Sequence, residues 1–278
     1  TADNLQTKLI EIHNEFEPGS QRKSTFIADL ANASITKILT EKDSYPIVAD
    51  VLYDSLIKKH LLVNLSNSDA NLFFSSQGWG GAITNAHLAT PVPVEWNWGS
   101  NKANLYLEET TDLTMRFVDE DTIRYTYLLS VKNNSTTNTY PEGDYRNYHR
   151  ILVPEEADLV TSEGFDQTPD EYLEGGKKVF GGFFTVASGS TNQLQLIYEL
   201  KREEGGYFPL DTTGNSLSLD LLIYKQPGLA PGTYKLSIEY PDTWAVVETS
   251  DLNRGVNELT SQFTQERDLS LPLMWEYK

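Results

Sequence analysis

The chain has 278 residues, 39% of them aliphatic or aromatic and 22% charged, with 15 Tyr, 11 Phe and 5 Trp, a composition that excludes disorder as its main state. Against 22 Lys and Arg stand 40 Asp and Glu, a formal charge of −18, which repels phosphate backbones and anionic headgroups and disfavours nucleic acid as a partner. No Cys is present, which removes disulfides, thiolate nucleophiles and cysteine-ligated metal centres together.

At roughly 100 to 200 residues per domain, the length predicts one large domain or two. Leu5, Leu9, Ile12 and Phe16 place one apolar stripe on a helix over 3–16, stopped by Pro18-Gly19. A second helical pattern runs from Lys23 to Leu39 through Ile27, Leu30, Ser34 and Ile38. Ser44 is placed to cap a third helix, with Pro46 in its first turn and a buried stripe at Val48, Val51, Leu52, Ser55 and Leu56. Leu61 to Leu65 reads as a short strand, and Ser66 to Gln77 as a short helix ended by Gly78.

Thr90-Pro91-Val92-Pro93 disfavours both helix and central strand, so a domain boundary is expected there. Beyond it the period is two. Ile123, Tyr125, Tyr127, Leu129 and Val131 alternate with Arg124, Thr126, Leu128 and Ser130, and the same period holds in the runs 194–200, 217–223 and 234–240. Turn signals such as Ser188-Gly189-Ser190 and Thr213-Gly214-Asn215 separate these runs, a rhythm that fits an immunoglobulin-like sandwich. The fold expected is therefore α+β: a helical region with a short strand over residues 1–92, an immunoglobulin-like antiparallel β-sandwich over 93–250, and an edge strand with a docking tail over 251–278. In that tail Asn257, Leu259, Ser261 and Phe263 form the edge strand, and Leu271-Pro272-Leu273-Met274-Trp275 an extended docking segment. Charge divides along the same boundary, with 30 acidic against 15 basic side chains beyond residue 94, as a solubilising surface on a strand-rich domain requires.

No apolar run approaches the roughly 20 residues that span a bilayer. The chain opens on Thr1 without an initiator Met, which predicts a processed product or a piece of a longer protein whose signal or anchor lies outside it.

Six landmarks occur in order: Lys59-His60, Gly78-Trp79-Gly80-Gly81, Gly99 to Asn104, Tyr145-Arg146-Asn147-Tyr148, Val179 to Phe184, and Lys225-Gln226-Pro227-Gly228. Together they resemble a bacterial family, the domain-of-unknown-function family numbered four-zero-one-two, over about Asn4 to Trp244. That resemblance implies a membrane-anchored, extracytoplasmic protein of the cell envelope whose earlier region is similar to LytR-CpsA-Psr-type domains, which transfer polymers from lipid pyrophosphate carriers onto the cell wall. The arginines and acidic metal ligands of such enzymes have no counterpart here, and Thr1 to Phe16 matches a helix late in that region.

Parts for catalysis are few. Residues 1–94 hold one arginine, Arg22, where a pyrophosphate site needs several cations or a metal. No phosphate loop, nucleophile elbow or zinc-binding H-E-x-x-H pair appears, and His13, His60, His87 and His149 stand singly, without ligand spacing. Adjacent carboxylates at Glu108-Glu109, Glu155-Glu156 and Glu203-Glu204 point to opposite faces of a strand and do not mark a shared site. Asp119-Glu120-Asp121 could present oxygens to calcium, or be a turn of solvated charges.

Trp96 and Trp98 share one face of a strand, either as a platform on which sugar rings stack or as the seam between helical and sheet domains. Alternation puts Arg146, Tyr148 and Arg150 on one face and Tyr145, Asn147 and His149 on the other. The two arginines can grip an anion or pair with acids of the same chain. Gly181-Gly182 reads as a bulge or a close backbone approach. The expected ligand-contacting residues are thus Trp96, Trp98, Arg146, Tyr148 and Arg150, with no catalytic residue, metal or cofactor. The expected role is structural, adhesive or glycan-contacting, with cell-wall glycan or another envelope protein as partner. The alternative is an accessory part of a LytR-CpsA-Psr-like cell-wall glycopolymer transferase.

Overall fold

The computed structural model describes Lys8, Leu9, Glu11 and residues 21–249 and 252–278. The helix expected over 3–16 lies largely outside the described residues. Two compact units divide the chain, 1–56 and 57–278.

The first unit carries α1 (Gln21–Thr40) and α2 (Tyr45–Ile57), joined by a single 3-10 turn at Lys42–Ser44. Pro46 sits in the first turn of α2, where its missing N–H costs nothing. The expected buried stripes are only partly covered. Val48, Ser55 and Leu56 are half-buried, whereas Ile27, Val51 and Leu52 are exposed by 49%, 59% and 49%. None of the described helices is long and apolar enough to cross a membrane.

In the second unit, residues 61–65 do not form the expected strand and are tied to Trp79 by one backbone bond from Val63 N–H to Trp79 C=O. Helix α3 (Ser68–Ser76) is capped by Asn67, whose side-chain oxygen accepts from Ala70 N–H at 2.9 Å, and Gly78 takes the left-handed position after it, at φ +77°.

Fifteen strands follow among the described residues. The first eight are β1 (Val92–Asn97), β2 (Leu107–Phe117), β3 (Thr122–Asn133), β4 (Tyr145–Val153), β5 (Asp158–Glu163), β6 (Asp170–Glu174), β7 (Lys177–Val186) and β8 (Thr191–Lys201). The rest are β9 (Leu210–Thr213), β10 (Ser216–Ile223), β11 (Gly232–Glu239), β12 (Trp244–Thr249), β13 (Asn253–Arg254), β14 (Glu258–Gln265) and β15 (Leu269–Tyr277). They form three sheets: β1-β4-β7-β6, β12-β15-β10-β9, and a seven-stranded sheet ordered β13-β14-β11-β2-β3-β8-β5.

This overturns the expected α+β arrangement of a helical region followed by an immunoglobulin-like antiparallel sandwich. The protein is mostly β, with three sheets in place of two, and its largest sheet is mixed because β2 and β11 run parallel. Period-two alternation identifies a strand and its buried face, but it carries no information on which strand lies beside it or in which direction.

The alternating run of β3 holds as read: Ile123, Tyr125, Tyr127, Leu129 and Val131 are all buried. They join Leu113, Met115 and Phe117 of β2 and Leu194, Leu196, Tyr198 and Leu200 of β8 in one core. The expected docking tail is instead β15, paired with β12 on one side and β10 on the other. In this strand Pro272 stands opposite Asp220 of β10. Trp275 of this strand is fully buried against Phe117, Tyr240 and Trp244. The expected edge strand 257–263 is β14, flanked by the two-residue β13 and by β11.

Candidate functional site

The four-stranded sheet has two unlike faces, and alternation along β1 and β4 decides what each carries. On β4, Tyr145, Asn147 and His149 are buried while Arg146, Tyr148 and Arg150 reach the outer side. On β1, Trp96 stands opposite Tyr148 and Glu95 opposite His149. The sheet therefore turns an aromatic and cationic face outward and a polar one inward.

Trp96 is 60% and Trp98 49% exposed. Their rings meet edge to face at 4.8 Å, Trp98 meets Phe183 at 6.2 Å, and Phe183 meets Tyr148 at 5.1 Å, all strongly inclined. Such T-shaped pairing matches the quadrupoles of the rings and fixes a row without flattening it. Trp98 lies just beyond β1 and is held there by its own N–H, which donates to Arg146 C=O at 2.7 Å. The turn after it is built by asparagines: Asn97 Oδ1 accepts from Gly99 N–H, Asn101 Oδ1 accepts from Ala103 N–H, and Asn101 Nδ2 donates to Asp144 C=O.

The two arginines part company. Arg150 pairs with Glu174 at 3.0 Å and is neutralised. Arg146 has its guanidinium 4.9 Å from the Phe183 ring centroid and no ion-pair partner among the described residues. Beside it opens a slot of about 320 Å³ lined by Arg146, Tyr148, Phe183, Gly181, Gly182 and the segment Asp166 to Thr168 with Asp170. Gly181 makes the slot. A Cβ there would stand 3.1 Å from Tyr148 Oη and 3.5 Å from Arg150 Cγ, so any side chain would fill the space between them. Gly182 has a packing role, since its missing Cβ leaves room for the Phe165 ring. Asp166 is partly engaged, accepting from Thr185 N–H and Oγ1–H. Burial and the nearby Tyr172 and Asp170 push the Tyr148 hydroxyl above its usual range, which keeps it a neutral donor.

The inner face holds a polar cluster between the four-stranded and seven-stranded sheets. Tyr145 Oη donates to Glu95 Oε2 at 2.6 Å. His149 Nδ1 lies 4.0 Å from Glu95 Oε1, and its Nε2 3.4 Å from Tyr127 Oη. Desolvation depresses the His149 imidazole to about 3, so it is neutral in ordinary buffers. Glu109 of β2 shares this space, and two cavities of about 40 and 30 Å³ adjoin it, each of a size for an ordered water. Burial raises the carboxyl of Glu109 well above the usual range, with the neighbouring Glu95 adding to it, and burial raises Glu95 too, against the opposing hydrogen bond from Tyr145. Gln226 ties the cluster to the loop after β10: its side-chain amide accepts from Glu95 N–H at 2.6 Å and donates to Glu95 C=O at 2.9 Å, standing in for a strand beside β1. The Lys225-to-Gly228 landmark is a fold determinant for this reason.

Of the five expected ligand contacts, Arg146 and Tyr148 line the slot, Trp96 and Trp98 lie beside it, joined to its lining through Phe183, and Arg150 is given to Glu174. Phe183, Asp166, Asp170 and Gly181 complete it and were not foreseen. Asp119 to Asp121 form an ion-paired turn, with Asp121 bound to Arg202 at 2.7 Å and Glu120 accepting from Tyr277. Among the described residues, no group of three or more His, Asp or Glu is arranged to hold a metal ion.

No protein-family model matches the sequence, and no curated protein matches it either. Among solved structures, a putative nutrient binding protein from Legionella pneumophila is similar at 9% identity and a TM-score of 0.43, over 66% of this chain and 69% of that one. An M1 zinc metallopeptidase from Deinococcus radiodurans is similar at 15% identity and a TM-score of 0.33, over 61% of this chain and 42% of its own. Yeast LTA4 hydrolase is similar at 12% identity and a TM-score of 0.35, over 63% of this chain and 30% of its own. The chain thus spans less than half the length of either of these last two proteins.

Proposed function

We propose that the protein is a glycan-binding module of the bacterial cell envelope, contacting its ligand with the outer face of the four-stranded sheet. The observation that carries this is the row of exposed Trp96 and Trp98 and half-buried Phe183 and Tyr148, leading to a slot that offers hydrogen-bond donors from Arg146 and acceptors from Asp166 and Asp170. Pyranose rings present apolar C–H faces to aromatic rings and hydroxyl edges to such polar groups, so both halves of the lining have a counterpart in a sugar. The envelope location is supported by the ordered landmarks from Lys59-His60 to Lys225-Gln226-Pro227-Gly228.

Isothermal titration calorimetry of the full chain against soluble cell-wall glycan fragments tests the proposal. Saturable binding that weakens about tenfold in Trp96→Ala and in Trp98→Ala is the expected result, since each loss of stacking is worth on the order of 1.4 kcal/mol. Binding left intact in both variants would place the ligand elsewhere and refute it.

A further inference from the structure

Resting on the glycan-binding role proposed above, we infer that the slot over Gly181 receives the end of an uncharged saccharide chain, with the preceding sugars lying on the aromatic row. The module then recognises chain ends, not chain interiors.

The direction of the row comes from strand order. Trp96 belongs to β1, Tyr148 to β4, Phe183 to β7 and Asp170 to β6, in the order of the sheet itself. The row crosses the strands over three spacings, on the order of 14 Å, which suits a short oligosaccharide. At the β1 edge the surface is open, with Trp96 the most exposed of the row. At the other end Asp166, Gln167 and Thr168, in the segment held beside β7 by Asp166 N–H donating to Phe183 C=O at 2.8 Å, border the slot. A chain that enters along the tryptophans ends against these side chains, so what occupies the slot is a terminal unit. The slot's volume of about 320 Å³ lies at the small end of the range for ligand pockets, roughly 300 to 1,000 Å³, and fits one unit with its hydroxyls.

Charge selects the class of sugar. The lining brings one cation, Arg146, against two carboxylates, Asp166 and Asp170. The chain as a whole carries −18, and its field repels acidic polysaccharides. Arg146 therefore acts as a hydrogen-bond donor to hydroxyl or amide oxygens, with the aspartates accepting from neighbouring hydroxyls, and a uronate would meet like charge on the same wall.

The test measures affinity and stoichiometry by tryptophan fluorescence and calorimetry, using di- to hexasaccharides of β-1,4-linked N-acetylglucosamine, the corresponding neutral glucan oligomers, a longer soluble polymer of whichever series binds, and galacturonate oligomers. The expected result is one protein bound per chain whatever the chain length, with galacturonate oligomers at least tenfold weaker at low salt. Gly181→Val, whose added carbons occupy the slot, should lose more than tenfold in affinity while Trp98→Ala retains residual binding. The Gly181 backbone lies outside the left-handed region, so its φ does not oppose valine, the Tyr148 hydroxyl 3.1 Å from the new Cβ must shift, and an unchanged melting temperature verifies the fold. Arg146→Gln, a surface change, provides a second blow to the slot without risk to the core. Several proteins bound per long chain, or Gly181→Val and Arg146→Gln binding as the parent does, would overturn end recognition while leaving the glycan-binding role in place. Failure of all the neutral probes to bind the parent protein would overturn both.

Discussion

Replacing Glu109 with Gln should stabilise the protein at neutral and alkaline pH and leave it unchanged in mild acid. Glu109 and Glu95 lie in one poorly solvated space, with Glu95 only 4% exposed at its side chain, and both carboxyls are raised above the usual value of 4.5. A carboxyl whose pKa is higher folded than unfolded holds a proton in the native state after the unfolded chain has released it. Its contribution to stability is complete below about 4.5 and declines as pH rises towards the folded value, by about 1.4 kcal/mol per pH unit for one proton. Gln keeps the shape and a hydrogen-bonding group and has no proton to lose. The gain at pH 8 is expected to be about 1–3 kcal/mol, vanishing to within about 0.5 kcal/mol by pH 4.5. Urea denaturation of parent and Glu109→Gln at half-unit pH steps, followed by tryptophan fluorescence, gives the difference curve directly. Other titrating groups cancel in it. A flat difference between pH 4.5 and 8, or a variant less stable at pH 8, would refute the account of a raised Glu109 carboxyl.

His149 bends the same curve in the other direction. Its folded pKa of about 3 lies below the ordinary 6.5, so stability falls as pH drops through 6.5 towards 3, and His149→Gln should spare about 3 kcal/mol of that loss between pH 7 and pH 4 in the same denaturation series. Lys59 is 4% exposed and lies 2.7 Å from Asp268, so Lys59→Met leaves a partly buried carboxylate without its cation and should cost about 3 kcal/mol by chemical denaturation. Trp275→Ala removes the fully buried ring that Phe117, Tyr240 and Trp244 enclose, and a loss of about 4 kcal/mol is expected from the same measurement.

The sequence reveals faces better than neighbours. Alternation correctly sorted Arg146, Tyr148 and Arg150 from Tyr145, Asn147 and His149, and marked the buried side of β3, because both depend only on the two-residue repeat of one strand. Gly78 was legible for a similar local reason. The partnership of Glu95 with Tyr145 and Glu109 was not, since three different strands bring them together. Glu108-Glu109 shows the limit plainly. The two do point to opposite sides, Glu108 to Lys132 at the surface and Glu109 inward, and the carboxylate that matters to Glu109 is Glu95, which is distant in sequence. Likewise the slot depends on Phe183 and Asp170 lying next to Tyr148 across β7 and β6, a matter of pairing order. Locally the segment 271–275 reads as an extended docking tail, because nothing in it announces the strands that pair with it on either side.

The parallel pairing of β2 with β11 also sets a timetable. Leu113 and Leu236 are partners in adjacent central strands, yet 122 residues lie between them, and another sheet waits for β15 to slot between β12 and β10. Closing so large a loop before its contacts repay the lost chain entropy makes folding of this unit a slow event on the scale of milliseconds to seconds. During translation β2 and β3 emerge long before β11 exists to cover one side of β2, and they spend that interval as an unfinished edge. The exposed polar rows of those strands, with Glu108, Asp112 and Arg116 on β2 and Arg124 and Lys132 on β3, keep that nascent edge from pairing with another chain until its proper neighbour arrives.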